Sequence, residues 1–208
     1  MRILIVDDHI VVRLGLSAIL KSEYPRAEIS EAGKEAEVYM HLQKHHYDLM
    51  LMDLSMPETD SMAMLEQSIR INPNLKVLVV SFNPERLFAL RYVKAGASGY
   101  VQKSENDAMI IKAVRTVMNG NTFLSEDMVE EMALYLKHGN TFNPFQRLSK
   151  REFEVAIHCI NGLTPGEIGR VMALQSPTVS IYKNRIFEKL NIKSLHELIK
   201  MAKQYDLE

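Results

Sequence analysis

The fold is decided by the stretch Tyr47-Asp48-Leu49-Met50-Leu51-Met52-Asp53-Leu54-Ser55-Met56-Pro57. Its uninterrupted apolar run predicts a strand that is buried on both faces, as the strands of a parallel sheet are. Asp53 ends this strand, and Pro57 prevents the strand from continuing. In open α/β sheets, ligands and reactive groups lie in the crevice outside the carboxyl ends of the strands. We therefore expect Asp53 at a functional position.

A second predicted strand, residues 2–6, also ends in carboxylates. Asp7 and Asp8 follow it directly, and neighbouring parallel strands would bring them close to Asp53. Crowded carboxylates repel one another by about 4 kcal/mol per pair at a separation of about 4 Å and an effective dielectric of about 20. A bound cation removes this repulsion, and oxygen ligands on a partly open site favour Mg²⁺. The sequence therefore predicts a magnesium site.

Two further predicted strands lead to a hydroxyl group and to an amine. Residues 76–80 are followed by Ser81, and residues 98–101 are followed shortly by Lys103. A single Asp at a strand end is more often only the start of a turn. An acid pair, a single Asp, a hydroxyl and a Lys at the ends of consecutive strands form a far more specific pattern.

With this pattern, the first part of the chain resembles the receiver domain of two-component response regulators. The matching residues are Asp7-Asp8, Asp53 with Met56-Pro57, Ser81, the run Lys94-Ala95-Gly96-Ala97-Ser98-Gly99-Tyr100, and Lys103. The resemblance implies that Asp53 accepts a phosphoryl group from a sensor histidine kinase. A carboxylate can act as such a nucleophile, and a metal ion neutralises the charge that develops.

The same resemblance assigns roles to the other residues of the acidic site. It implies that Asp8, Asp53 and the backbone carbonyl of Ser55 hold Mg²⁺. Asp7 would help to hold the ion through a water molecule. Lys103 would pair with the oxygens of the phosphoryl group.

Two residues are implied to respond to phosphorylation. Ser81 would move in to hydrogen-bond the phosphoryl oxygens, and Tyr100 would turn inward with it. Both belong to the motif residues quoted above, so the resemblance carries these roles directly.

Three residues depart from the usual receiver pattern. Ser61 stands where the family usually has Gly, Phe82 stands where a small residue usually follows Ser81, and Ile10 replaces a frequent Pro. None of these changes removes an acid, the hydroxyl or the Lys. Two positions are open for Phe82, because its ring either borders the phosphoryl pocket or packs in the core against the fourth helix.

Periodicity along the first 120 residues predicts five strand–helix units. The predicted helices are residues 10–20, 35–44, 60–71, 84–94 and 105–118, and the remaining strand is residues 27–30. Strands that alternate with helices indicate a parallel sheet with helices on both faces. The expected fold is therefore an α/β doubly wound, five-stranded parallel sheet in the flavodoxin-like order 2-1-3-4-5, followed by a small all-α domain.

Composition limits the class of protein. A length of 208 residues, with 47% hydrophobic and 25% charged residues, suits one large or two small globular domains. The chain has no apolar run near the ~20 residues that a membrane span needs. Because a single cysteine, Cys159, allows no internal disulfide, a cytoplasmic location is expected. Residues 146–208 hold 10 Lys and Arg against 7 Asp and Glu, and this mildly basic balance fits a nucleic-acid partner.

The second part of the chain is predicted to be helical throughout. Two of its helices, joined by a short turn, describe a helix-turn-helix. The matching residues are Leu148-Ser149-Lys150-Arg151-Glu152, Gly162-Leu163-Thr164 with Glu167-Ile168, and Thr178-Val179-Ser180 through Lys189-Leu190. On these residues the segment resembles LuxR-type DNA-binding domains, and the whole chain resembles the NarL/FixJ class of response regulators.

This second resemblance and the side-chain chemistry give a set of expected DNA contacts. The set is Thr164, Thr178, Ser180, Ile181, Lys183, Asn184, Arg185, Lys189 and Lys193. The Lys and Arg residues can reach phosphates, which position a protein on DNA without specifying sequence. Asn184 can bind adenine edges, and Ile181 can contact thymine methyl groups. The core role expected for Val179, Ile186 and Leu190 follows from their helical spacing.

The predicted domains are a receiver at residues 1–120, a linker at 121–146 and the helix-turn-helix domain at 147–208. Ser125 is a plausible N-cap for a helix in the linker. Met128, Met132 and Leu136 repeat at every fourth residue there. This apolar stripe either packs on one of the two domains or forms a dimer contact.

The sequence therefore predicts a transcription factor, not an enzyme, whose phosphorylation by a kinase favours a homodimer on double-stranded DNA. One alternative is the same fold regulating transcription without phosphorylation. An aspartyl-phosphate phosphotransferase of the haloacid dehalogenase type is less favoured, because Ser55 stands where that chemistry needs a second acid. A nucleotide-binding domain is disfavoured because no Gly-rich loop follows the first strand.

Overall fold

A computed structural model of the chain describes residues 1–57, 59–130, 133, 144–172, 174–205 and 207. The chain divides into two compact units, Met1–Gly139 and Asn140–Glu208. No helix in the described part of the chain is both long enough and apolar enough to span a membrane.

The first unit is a parallel sheet with helices between its strands. Its strands are β1 (Arg2–Val6), β2 (Glu28–Ala32), β3 (Leu49–Met52), β4 (Lys76–Ser81) and β5 (Gly99–Gln102). Its helices are α1 (Ile10–Glu23), α2 (Glu35–Lys44), α3 (Ser61–Ile71), α4 (Glu85–Lys94) and α5 (Asp107–Met118). The strand order is β2-β1-β3-β4-β5, with every pair parallel, which confirms the predicted fold.

The register of the sheet places the functional residues side by side. Val6 is paired with Met52, and Met52 is paired with Val79. The residues that follow Val6 and Met52 therefore leave the same edge of the sheet next to one another. All four residues of β3 are buried, because helices cover both faces of the sheet.

One close backbone approach ties the chain after α5 to β5. Tyr100 N donates to Phe123 O at 2.9 Å, and Phe123 N donates to Ser98 O at 3.1 Å. A Cβ atom on Gly99 would lie 2.7 Å from Phe123 O, so the contact requires a glycine there.

Beyond this contact, Ser125 caps a helical segment at residues 126–130, as predicted, with its Oγ accepting from Met128 N at 3.2 Å. Met128 is fully buried. Met132 and Leu136 of the predicted linker stripe lie outside the described residues.

The second unit is helical, as predicted. A 3₁₀ turn (Pro144–Arg147) precedes α6 (Lys150–Ile160), α7 (Pro165–Val171), α8 (Ser176–Leu190) and α9 (Leu195–Gln204). Capping boxes begin two of the helices, at Ser149 for α6 and at Thr164 for α7, since each cap side chain and the Glu three residues later satisfy one another's backbone N–H. The short turn between α7 and α8 gives the predicted helix-turn-helix.

Candidate acidic site and candidate nucleic-acid interface

Three of the residues predicted from strand ends meet in one buried cluster. Lys103 Nζ lies 2.5 Å from Asp7 Oδ2 and 3.1 Å from Asp53 Oδ2. The side chains of all three residues are at most 5% exposed. One ammonium therefore bridges two carboxylates that follow neighbouring strands.

The electrostatics of Asp53 reflect this setting. Burial raises the pKa of Asp53, the Lys103 ammonium opposes that rise, and the Asp7 carboxylate adds to it. Leu54 N also donates to Asp53 Oδ1 at 2.7 Å, which favours the charged form and fixes the orientation of the carboxylate. The other oxygen, Oδ2, is the one that faces Lys103.

Asp8 lies at the more open edge of the cluster, with His9. Asp8 Oδ1 is 2.9 Å from His9 Nδ1, and His9 N donates to Asp7 Oδ1 at 2.8 Å. Ligand atoms of Asp7, Asp8 and His9 all lie within 4.8 Å of one another. Sequence reasoning did not include His9, although an imidazole directly after two acids was a visible signal.

Three carboxylate oxygens of the cluster are suited to a cation. Asp7 Oδ2, Asp8 Oδ1 and Asp53 Oδ2 are buried. The Lys103 ammonium lies at ion-pair distance from Asp7 and Asp53, and His9 Nδ1 lies 2.9 Å from Asp8 Oδ1. Buried anionic oxygens that lie close together fit the oxygen-ligand chemistry of Mg²⁺.

The fourth expected ligand is the backbone carbonyl of Ser55. Ser55 is exposed beside the cluster, and its hydroxyl accepts from Asn83 Nδ2 at 3.4 Å. The role of its carbonyl stays a prediction.

Ser81 and Tyr100 meet at the backbone of Asn83. Ser81 is fully buried at the end of β4, and its Oγ accepts from Asn83 N at 3.2 Å. The Tyr100 phenol donates to Asn83 O at 2.8 Å. Burial raises the pKa of Tyr100, and the nearby Ser81 hydroxyl opposes that rise. Tyr100 therefore lies inward, in hydrogen-bond contact with the loop that follows Ser81.

Phe82 lies outside the core. Its side chain is 69% exposed, and Lys103 Nζ lies 5.3 Å from the centroid of its ring. The interpretation of Phe82 as a core residue packed on α4 is wrong, because a packed aromatic ring would be buried. Its place over Lys103 is that of a residue at the rim of the acidic site.

The second unit presents a polar face on α8. Val179, Ile186 and Leu190 are buried, which confirms their predicted core role. The exposed residues on the opposite face are Ser180, Ile181, Asn184 and Arg185. The sequence predicted this division, since residues three and four apart share one face of a helix.

The remaining expected DNA contacts have partners inside the unit or lie at the surface. Lys183 Nζ is 5.5 Å from the centroid of the Phe187 ring. Lys189 Nζ binds Glu152 Oε2 at 2.6 Å, and Lys193 is exposed. Thr164 donates from its hydroxyl to Glu167 Oε2 at 2.6 Å, in keeping with its role as a cap, and Thr178 is half-buried. Their DNA contacts stay predictions.

Two protein-family models match most of the chain. Residues 3–115 match the response regulator receiver domain, and residues 146–202 match the LuxR family of bacterial regulatory proteins. The oxygen regulatory protein NreC of Staphylococcus carnosus is 32% identical over 97% of this chain and 96% of its own length. NreC of Staphylococcus haemolyticus is 33% identical over the same shares.

Solved structures of response regulators share the fold. RcsB of Salmonella enterica serovar Typhimurium, bound to promoter rprA with the phosphomimetic BeF₃⁻, has a TM-score of 0.65 and 21% identity over 98% of each chain. ChrA, the response regulator of a heme-sensing two-component system, has a TM-score of 0.51 and 26% identity over 100% of this chain and 98% of its own. The chain belongs to the NarL/FixJ-type response regulators, which join a receiver domain to a LuxR-type domain, and it is a DNA-binding regulator of transcription and not an enzyme.

Proposed function

We propose that Asp53 accepts a phosphoryl group from a sensor histidine kinase and that this modification controls dimerisation on DNA. The observation that carries the proposal is the placement of Asp53, buried, oriented by Leu54 N and 3.1 Å from the Lys103 ammonium. A nucleophilic carboxylate beside a fixed cation is the arrangement that phosphoryl transfer needs.

The transfer itself is an exchange of one bond for another. A carboxylate oxygen of Asp53 forms a bond to phosphorus while the bond between phosphorus and the donor's histidine nitrogen breaks, and the imidazole keeps that electron pair. Lys103 then pairs with the phosphoryl oxygens, because its ammonium already lies at ion-pair distance from Asp53 Oδ2. The product is an acyl phosphate on Asp53.

Mg²⁺ is the cofactor that the cluster fits best. Asp8, Asp53 and the Ser55 carbonyl would hold the ion, and Asp7 would assist through water. When bound, the ion neutralises charge on the transferring group. The support is the set of buried carboxylate oxygens, together with the oxygen-rich donor set.

Ser81 and Tyr100 would carry the signal away from Asp53. A phosphoryl group adds roughly −1.5 to −2 charges and three acceptor oxygens. The Ser81 hydroxyl can turn toward those oxygens and give up the hydrogen bond that it now accepts from Asn83 N. Since Tyr100 binds the carbonyl of the same Asn83, a change at Ser81 reaches Tyr100 through one residue.

The output would be a dimer that places two copies of α8 on DNA. A pair of recognition helices then contacts half-sites about one helical turn apart. In one solved structure, two RcsB dimers bind two parallel DNAs, which supports this arrangement by analogy of fold. Action on DNA also supports a cytoplasmic location. The proposed domains keep the bounds 1–120, 121–146 and 147–208.

A phosphate-affinity gel tests the proposal directly. The full chain is incubated with acetyl phosphate and Mg²⁺, next to the Asp53→Asn variant, and both samples are then examined by gel filtration and DNA binding. We expect a shifted band, a larger dimer fraction and tighter DNA binding for the wild type alone. Equal dimerisation and DNA affinity with and without the donor would favour the alternative, regulation without phosphorylation.

A further inference from the structure

Ser61 makes a hydrogen bond that the usual glycine at its position could not make. It is the first residue of α3, and its side chain is 1% exposed. Its Oγ donates to Leu54 O at 2.7 Å, across seven residues of sequence. The hydroxyl therefore reaches back from α3 to the residue that directly follows Asp53.

With this bond, both the backbone N–H and the backbone carbonyl of Leu54 are hydrogen-bonded. Leu54 N donates to Asp53 Oδ1 at 2.7 Å, while Leu54 O accepts from Ser61. Because the peptide bond is planar, holding Leu54 O also holds the peptide that joins Leu54 to Ser55. Ser61 thus restrains both the Asp53 carboxylate and the start of Ser55, the residue whose carbonyl is proposed to bind Mg²⁺.

A second buried group adjoins Ser61. Tyr92 of α4 is 3% exposed. Burial raises the pKa of Tyr92 to about 12, and the Ser61 hydroxyl acts against that rise.

We propose that Ser61 is a positioning residue for phosphoryl transfer, which holds the Asp53 carboxylate and the Ser55 carbonyl in place through Leu54. The inference rests on the proposed role of Asp53, and it assigns a function to a residue that departs from the receiver pattern. Because Ser61 acts through Leu54, it affects the rate of transfer and not the binding of the donor.

A matched pair of serines on α3 provides the experiment. Ser68 is as buried as Ser61, but its Oγ makes no hydrogen bond within the described residues. Full-length Ser61→Ala and Ser68→Ala are compared with wild type for acetyl phosphate uptake as a function of donor concentration. Ser61→Gly introduces the residue that is usual in receiver domains. It takes the place of Ser61→Ala in the comparison if the Ala variant does not fold.

We expect Ser61→Ala and Ser61→Gly to lower the maximal loading rate about five-fold with an unchanged half-saturating donor concentration, as the loss of one hydrogen bond predicts. In NMR spectra of the unphosphorylated chain, the Leu54 amide proton should move upfield in these variants and stay in place in Ser68→Ala. Equal loading in all variants, or an equal loss in Ser68→Ala, overturns the inference. If the wild type takes up no phosphoryl group, the proposed role of Asp53 is wrong. The shift of the Leu54 amide proton in Ser61→Ala then still decides whether Ser61 holds Leu54.

Discussion

Phe82 lies over Lys103, with the ammonium nitrogen 5.3 Å from the centroid of the ring. The same ammonium bridges Asp7 and Asp53 from within the acidic site. An aromatic face attracts a cation by about 0.5–1 kcal/mol at an exposed site. Phe82 thus restrains the cation that is proposed to pair with the phosphoryl group, and its exposed ring narrows the approach to Asp53.

We predict that Phe82→Ala speeds both phosphorylation and loss of the phosphoryl group. Removal of the ring opens the path for the donor histidine and for hydrolytic water. Because the ring is 69% exposed, the free energy of unfolding should fall by no more than about 1 kcal/mol. Stopped-flow loading with acetyl phosphate and the decay of the labelled protein measure the two rates.

Phe88→Ala is the matched control for that variant. Phe88 lies on α4 and is buried, so its truncation should lower the free energy of unfolding by about 3–5 kcal/mol. Unchanged kinetics in Phe82→Ala would show that the ring does not restrict access to Asp53.

Asp53→Asn should abolish phosphoryl uptake while the protein becomes more stable at neutral pH. Burial raises the pKa of Asp53 in the folded state. A carboxyl group whose pKa is raised in the folded state stabilises the fold at pH values below its unfolded-state pKa. This stability is lost as the pH rises through its folded-state pKa. The neutral amide removes that loss, so the melting temperature of the variant should vary less with pH.

The exposed residue Asp107, in the first turn of α5, supplies the control. Asp107→Asn should load normally and keep the wild-type pH profile of melting. Labelling of Asp53→Asn by an acyl phosphate would contradict the assignment of the phosphoacceptor.

Lys103→Ala should weaken the response to phosphorylation and leave some phosphoryl uptake. It also leaves two buried carboxylates without their cation, which costs about 3–5 kcal/mol when one partner of a buried pair is removed. Mg²⁺ should restore part of that stability, since the ion replaces the lost positive charge. Thermal melts with and without Mg²⁺ measure the effect, and the exposed Lys112→Ala variant is the control.

How far the sequence predicted the site depends on whether a feature is local. The residues at the ends of β1 and β3 were predictable, because their position follows from the apolar runs that precede them. The end of β2 was not predictable. The strand was expected to end at residue 30, but it continues to Ala32 because Ala32 pairs with Val6 of β1. The Ser61 bond to Leu54 was beyond sequence reasoning for the same reason, because it depends on how α3 packs.

Aromatic residues show the same limit. Hydrophobicity alone could not decide whether Phe82 lies in the core or at the rim of the acidic site. The structure places its ring at the rim, over Lys103. Tyr100 was expected to turn inward on phosphorylation, and that switch stays a prediction. Without a phosphoryl group Tyr100 is already buried, and it donates to the backbone carbonyl of Asn83, which no side-chain pattern indicates.

Glu85 should make the stability of the receiver unit depend on pH. Its carboxylate accepts from Ser125 N at 2.9 Å at the start of the helical segment 126–130. Burial raises the pKa of Glu85, the bond from Ser125 opposes the rise, and the carboxylates of Glu105 and Asp127 add to it. The stability that Glu85 contributes is therefore present below its unfolded pKa and is lost as the pH rises through the folded one.

Glu85→Gln tests this dependence, because the amide oxygen can still accept from Ser125 N and carries no charge. The melting temperature of the variant should fall less than that of wild type as the pH rises from about 4 to about 7, a range that spans ordinary Glu titration and values raised above it. The exposed Glu66→Gln, on α3, is the control. Parallel pH profiles for Glu85→Gln and wild type would show that burial does not raise the pKa of Glu85.

The DNA-facing residues of α8 should separate into two classes when mutated. Asn184→Ala should change base preference, because an exposed amide can bind adenine edges in the major groove. Lys193→Ala should weaken all sites alike without a change in melting temperature. Lys189→Ala should weaken all sites and also destabilise the unit by about 1–2 kcal/mol, since Lys189 binds the buried Glu152 at 2.6 Å.

Binding-site selection and thermal melts on the full chain distinguish these outcomes. Burial would raise the pKa of Glu152, but the Lys189 ammonium and the Ser149 cap hold it below its usual range. The stability from this pair is thus present at neutral pH and is lost as the pH falls through the folded pKa. Lys189→Ala should therefore lose its stability deficit in acid, and a deficit that is equal at neutral pH and in acid would contradict the role of the ion pair. A selected site unchanged in Asn184→Ala would remove that residue from base recognition.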